Sequence, residues 1–165
     1  MIQAIWSGGQ TGADRGALEA AQLLGLKTGG WIPKGFRAED GLHPEFSRLY
    51  NLKEHESSDY SPRTKANVHD TDGTILIAKS LQSPGSRLTI HYCERLGKPI
   101  RIVRMGDPFL AITFFSWIAK FKIRILNVAG NRESKAPGIQ QYTKELFLEM
   151  FEEAKTRELL VNRDA

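Results

Sequence analysis

Apolar positions along this chain fall into short runs that alternate with helical stripes. Ile2–Trp6 is a short apolar run, and Ala13–Leu24 sets Leu18, Ala21 and Leu24 on one helical face before a stop at Gly25. Lys27–Ile32 reads as a second strand, interrupted by glycine. Pro33 to Ser61 is polar with little periodicity, which suits either a long functional loop or a pair of irregular hairpins. A short helix is expected over Pro62–Asp70 and a buried strand over Gly73–Ala78. Arg87–Leu96 carries Leu88, Tyr92 and Leu96 at i, i+4, i+8, stops at Gly97 and leads into a strand at Ile100–Val103. Pro108–Phe121 is apolar nearly all round, so that helix is expected to be sandwiched or to form a subunit interface. A last strand, Arg124–Ala129, precedes the polar loop Gly130–Ala136. Pro137-Gly138 then opens a helix to about Ala154, with Ile139, Tyr142, Leu146 and Met150 on one stripe and a frayed tail after Arg157.

Short strands alternating with amphipathic helices predict an α/β fold, a Rossmann-like three-layer sandwich around a mainly parallel sheet. With 165 residues and neither repeat nor linker, residues 1–165 are read as a single domain.

Composition narrows the classes. No stretch approaches the roughly 20 consecutive apolar residues of a membrane-spanning helix. The opening MIQAIWSGG lacks the basic and apolar regions of a secretory signal, and Cys93 is the one cysteine, so cytoplasm is the expected location and no membrane partner is expected. Lysine and arginine total 23 against 19 acidic residues, a net charge of +4 that favours anions. These residues are scattered, with no tract or nucleic-acid signature, so nucleic acid is not expected as a partner. His43, His55, His69 and His91 sit at no metal-ligand spacing, and no metal site is assigned. No nucleophile–base pair stands out, so no catalytic residue is assigned.

Three strand–loop–helix junctions share one chemistry. In an open parallel sheet, ligands bind outside the carboxyl ends of the strands, where helix amino termini present unpaired N–H groups and partial positive charge. The first junction is Ser7-Gly8-Gly9-Gln10-Thr11-Gly12, whose glycines suit either an anion cradle or a tight turn. The second, Ser83-Pro84-Gly85-Ser86-Arg87-Leu88-Thr89, brings Ser86 and Thr89 to one side of a helical turn, although Ser86 equally suits a plain N-cap. The third is Gly130-Asn131-Arg132-Glu133-Ser134, where Arg132 suits a bidentate grip on an oxyanion or a surface pair with Glu133. There is no P-loop motif. The first loop reads GGxxG rather than GxGxxG, with no acid about 20 residues on for a ribose, so a dinucleotide dehydrogenase is disfavoured.

The segment Ile5–Gly41, IWSGGQTGADRGALEAAQLLGLKTGGWIPKGFRAEDG, resembles the amino-terminal signature of the molybdenum cofactor (Moco) carrier family. That family is a circularly permuted branch of the LOG-like, Rossmann-like SLOG superfamily. The likeness continues through Tyr60–Thr64, Asn67, Asp72-Gly73-Thr74, the GSRLT form of the G[ST]xxT loop, and GNRES in place of the more frequent GPRES. It implies a homo-oligomer, dimer or tetramer, that binds and shields the molybdenum cofactor, a phosphorylated pterin with oxo-molybdenum, for storage or transfer. Moco-synthesis proteins and Moco-dependent enzymes would be its partners. The implied binding set is Ser7, Gly8, Gly9, Gln10, Thr11, Gly12, Arg63, Thr64, Asn67, Gly85, Ser86, Thr89, Arg132, Glu133 and Ser134. Trp6, Trp31 or Tyr60 would cover the flat pterin. The alternative is a nucleotide-binding sensor or a LOG-type nucleoside monophosphate phosphoribohydrolase. Such relatives carry a PGGxGTxxE loop with a catalytic glutamate, where this chain has His91, leaving Glu94 to be weighed.

Overall fold

The structure, a computed structural model, describes Met1–Arg163. Six strands form one sheet in the order β5-β2-β1-β8-β6-β7, and every pairing is parallel. They are β1 (Ala4–Trp6), β2 (Lys27–Ile32), β5 (Leu52–Glu54), β6 (Gly73–Ala78), β7 (Ile100–Arg104) and β8 (Ile125–Gly130). The two remaining strands, β3 (Arg37–Ala38) and β4 (Gly41–Leu42), pair only with each other as an antiparallel hairpin.

Helices α1 (Ala13–Leu23), α5 (Ala111–Lys120) and α6 (Ile139–Arg163) pack together on one side of the sheet, while α3 (Tyr60–His69) packs on α4 (Pro84–Leu96). The fold is the Rossmann-like α/β sandwich expected. β6 is buried at every position, as a central parallel strand covered on both faces must be. The main core gathers Ile5, Ile75, Ile77, Leu126 and Val128 from the strands with Phe114, Ile118, Ile139 and Phe147 from the helices. A smaller cluster of Leu18, Ile32, Phe46, Tyr50 and Leu52 closes the β2–β5 edge.

Several details differ from the expected pattern. The polar stretch from Pro33 contains one hairpin rather than two, then the short helix α2 (Phe46–Leu49) and the edge strand β5. Only Leu52 of β5 is buried, so a single apolar position gave that strand no alternation to read. Helix α4 begins at Pro84, not Arg87. Ser83 is its N-cap, its hydroxyl accepting from the Ser86 N–H, and proline at the first turn costs the helix no hydrogen bond. The face of α4 turned to the sheet is Ser86, Thr89 and Cys93, whereas Leu88, Tyr92 and Leu96 are half-buried. In α5, Phe114, Trp117 and Ile118 are buried while Ile112 is 51% exposed, so the helix covers the core on one side only. α6 runs well past the end expected near Ala154. Of the tail expected to fray after Arg157, Asp164 and Ala165 lie outside the described residues.

Topology places the site. From β1 the chain moves outward to β2 and β5, crosses to β6 and β7, and returns to insert β8 between β1 and β6. The helix after β8 (α6) packs with α1, and the helix after β6 (α4) packs with α3. Two adjacent strands therefore send their connections to opposite faces, which opens a crevice at their carboxyl ends.

Candidate functional site

A cavity of about 340 Å³ occupies that crevice, within the range of roughly 300–1,000 Å³ usual for small-molecule sites. Its walls come from the first loop (Gly8, Gln10, Asp14), from α3 (Tyr60, Arg63, Thr64, Asn67), from the start of α4 (Ser83, Pro84, Gly85, Leu88, Thr89) and from the end of β8 with its loop (Asn127–Arg132, Lys135).

The start of α4 is open to this space. A Cβ added at Gly85 would meet nothing within 4 Å, and the Gly85 N–H has no partner among the described residues. That amide, at the positive end of a helix of 13 residues, is available to an anion. The Thr89 hydroxyl donates to the Gly85 carbonyl (3.0 Å) and lines the wall.

Charge on the wall is mainly positive. Arg132 and Lys135 form no ion pair among the described residues. Arg63 faces Asp14 at 3.6 Å, both side chains nearly inaccessible. Burial pushes the Asp14 carboxyl above its ordinary value, opposed by Arg63 and by the Gln10 and Gly8 N–H groups. Burial likewise lowers Arg63, opposed by Asp14. The Arg63 Nε and the Gln10 Oε1 are both buried without a partner. Three guanidinium groups surround one ring: Arg132 lies 4.4 Å, Arg37 4.9 Å and Arg63 5.7 Å from the Tyr60 centroid. Cation–π contact lets these like charges gather beside the cavity.

Asn131 fixes the geometry. Its Oδ1 accepts from the Lys79 N–H (2.8 Å) and Ser80 N–H (3.1 Å), and its Nδ2 donates to the Ser80 carbonyl and to the Ser83 and Ser86 hydroxyls. One buried amide thereby ties the loop after β8 to the loop after β6. The asparagine of GNRES is a structural tie.

Of the residues proposed from the sequence, Gly8, Gln10, Arg63, Thr64, Asn67, Gly85, Thr89 and Arg132 line the cavity. Thr64 and Asn67 also serve the fold, since Asn67 accepts from the Trp31 N–H and donates to its carbonyl, and the Thr64 hydroxyl donates to the Tyr60 carbonyl. The structure does not bring Ser7, Gly9, Thr11, Gly12, Ser86, Glu133 or Ser134 to the wall. Ser7 donates to the Asp14 carbonyl and accepts from the Gly9 N–H. Gly9 packs against Leu52 and Ile32, and Gly12 against the backbone of Asn131–Glu133. Ser86 joins the Ser83–Asn131 network. Glu133 caps α6 by accepting from the Gly138 and Gln140 N–H groups. Thr11 and Ser134 both hold Glu39. Tyr60 is the one aromatic of the three weighed for the pterin that reaches the cavity; Trp31 donates instead to Asp70. Asp14, Asn127, Asn131 and Lys135 were missed, because each stands in sequence as an ordinary dipole, strand or loop residue. Glu94 is exposed on α4 and does not line the cavity.

Residues 5–151 match the family model of the circularly permutated YpsA SLOG family. The chain belongs to that family. A crystal structure of a "putative molybdenum carrier protein" from Syntrophus aciditrophicus SB is similar, at 42% sequence identity and a TM-score of 0.83, covering 91% of this chain and 94% of that one. No functionally curated protein matches the chain. This permuted SLOG chain contains no helix, among the described residues, long and apolar enough to cross a membrane. Nor do the described residues cluster three or more histidine, cysteine, aspartate or glutamate side chains in a way that would hold a metal ion.

Proposed function

We propose that this protein binds the molybdenum cofactor in the β8–β6 crevice and shields it for storage or transfer. The observation that carries the reading is a wall with surplus positive charge and unspent donors. Among the described residues Arg132 and Lys135 form no direct ion pair, the Gly85 N–H has no partner, and the Arg63 Nε is buried without an acceptor. An anionic ligand would stabilise such groups, the buried Arg63 Nε above all, since leaving a buried donor unpaired costs about 1–3 kcal/mol.

The residues fit the cofactor's chemistry. Its terminal phosphate suits the start of α4, with the Gly85 N–H and Thr89 hydroxyl as donors. Its second anionic end suits Arg132 and Lys135, and Tyr60, with Arg132 over its ring, borders the space left for the pterin. The name of the Syntrophus relative supports this choice of ligand. Gly8, Gln10, Arg63, Thr64 and Asn67 complete the binding set. The homo-oligomer expected of the family is supported by Ile102, Leu110, Ile112 and Phe121, each 42–59% exposed along β7 and around α5.

Native mass spectrometry of the protein isolated from its own cells tests the reading. Co-purifying mass equal to a phosphorylated pterin, with or without molybdenum, is the expected result, and the same spectrum reports the subunit number. A nucleotide monophosphate in its place would overturn the assignment.

A further inference from the structure

The β3–β4 hairpin lies beside the cavity mouth and is held there almost entirely by polar contacts. The Gln10 side chain donates to the Arg37 carbonyl (3.0 Å), and the Arg37 guanidinium lies over Tyr60. At the turn, Arg15 pairs with Asp40 in bidentate fashion (2.5 and 2.7 Å). Between these anchors Glu39 reaches across to the loop after β8. One of its carboxylate oxygens accepts from the Thr11 hydroxyl and from the Ser134 N–H (3.4 Å), and the other accepts from the Ser134 hydroxyl (2.6 Å). Arg132 adds its charge from nearby. Burial raises the Glu39 carboxyl, but the hydrogen bonds from Ser134 and Thr11 outweigh it and hold the group below its ordinary value.

Two hydroxyls, a backbone amide and a neighbouring guanidinium around one carboxylate form the donor set that an oxyanion takes. Here the occupant belongs to the chain itself. Thr11 adjoins Gln10, and Ser134 lies two residues from Arg132, so the cradle borders the cavity wall. We propose that the Thr11–Ser134 cradle is a second oxyanion subsite that Glu39 keeps closed. A ligand that anchors one anionic group at the start of α4 brings its second group to Arg132, beside the cradle, and there displaces Glu39.

The inference rests on the function proposed above, and it gives a role to the contacts by which Glu39 ties the hairpin to Thr11 and Ser134. Once anchored, a ligand presents its second group at high local concentration, whereas a free ion must compete with Glu39 from solution. The device therefore favours ligands with two separated anionic groups over single oxyanions.

Isothermal titration with sodium molybdate, a free tetrahedral dianion, tests this directly. The wild type is expected to take one equivalent, in the cavity. Glu39→Gln is expected to take a second, or to bind at least 5-fold more tightly, with an unchanged thermal melt. Glu39→Ser, which removes reach as well as charge, must behave alike. Adding Thr11→Val and Ser134→Ala to Glu39→Gln must abolish the gain. If Glu39→Gln titrates like the wild type, the carboxylate only anchors the hairpin and the inference fails while the cavity reading stands. If the gain survives loss of Thr11 and Ser134, it comes from net charge alone and the inference also fails. A wild type that takes no molybdate at all would overturn the cavity reading itself.

Discussion

The loop after β1 and the start of α4 carry the same kind of sequence, glycine among serine and threonine at the end of a buried strand. At the first loop four amides are spent inside the protein. The Gly9 N–H goes to Ser7, the Gln10 N–H to Asp14, the Gly12 N–H to Gln140 and the Ala13 N–H to the Asn131 carbonyl. Gly12 adopts φ 83°, and a Cβ there would run into the Asn131 carbonyl. At α4 the opposite holds, since Gly85 has open space around it. One glycine is required by packing and the other leaves room for a ligand. A sequence motif alone does not separate the two uses, because both place an amino acid without a Cβ at a strand-to-helix turn.

The largest way to break this comparison is through the ion pair under the first loop. Arg63→Met leaves Asp14 buried without its partner, and removing one member of a buried pair costs about 3–5 kcal/mol. Denaturant unfolding at pH 8 is expected to show that loss. The Asp14 carboxyl already sits above its ordinary value, and without Arg63 it rises further. The folded variant then binds more protons than the unfolded chain between the two values, so its stability falls as pH rises through that window. The deficit must be smaller at pH 5 than at pH 8. A deficit independent of pH would show that Asp14 carries no charge that needs Arg63.

Next comes Gly12→Ala, which forces a side chain into left-handed backbone and into the Asn131 carbonyl. A loss of about 3 kcal/mol is expected by thermal or denaturant melting. A variant as stable as the wild type would mean that packing against the loop after β8 does not require glycine at position 12. Gly85→Ala is the mirror case and the smallest effect on the fold, within about 0.5 kcal/mol, since Ala suits a helix and nothing opposes its Cβ. Its cost falls on binding. The N–H remains but the added methyl takes up ligand space, so molybdate affinity by titration should drop about tenfold, the equivalent of about 1.4 kcal/mol. Unchanged affinity would remove the start of α4 from the site.

The sheet, five of its six strands and the five helices of ten or more residues were legible, most of them because apolar positions alternate between compact runs and helical stripes. β5 was not, since it shows the core only Leu52. Of the site, the residues at strand ends were legible: Gly8, Gln10, Gly85, Thr89 and Arg132 line the cavity as their position at the carboxyl edge implied. Asp14 and Asn131 were hidden, because their roles arise from contacts between segments far apart in the chain. Asp14 meets Arg63 from α3, and Asn131 meets Ser80, Ser83 and Ser86 from the loop after β6. Glu39 was hidden for the same reason. Its partners Thr11 and Ser134 stand on loops that the polar stretch from Pro33 gave no cause to connect with it.

Crystals of the wild-type protein soaked in sodium tungstate, with anomalous difference maps, probe most directly where negative charge settles. Tungsten is predicted inside the crevice, within reach of the Gly85 amide and Arg132, with Glu39 still on Thr11 and Ser134. Tungsten gathered elsewhere on the surface, with the crevice empty, would contradict the account.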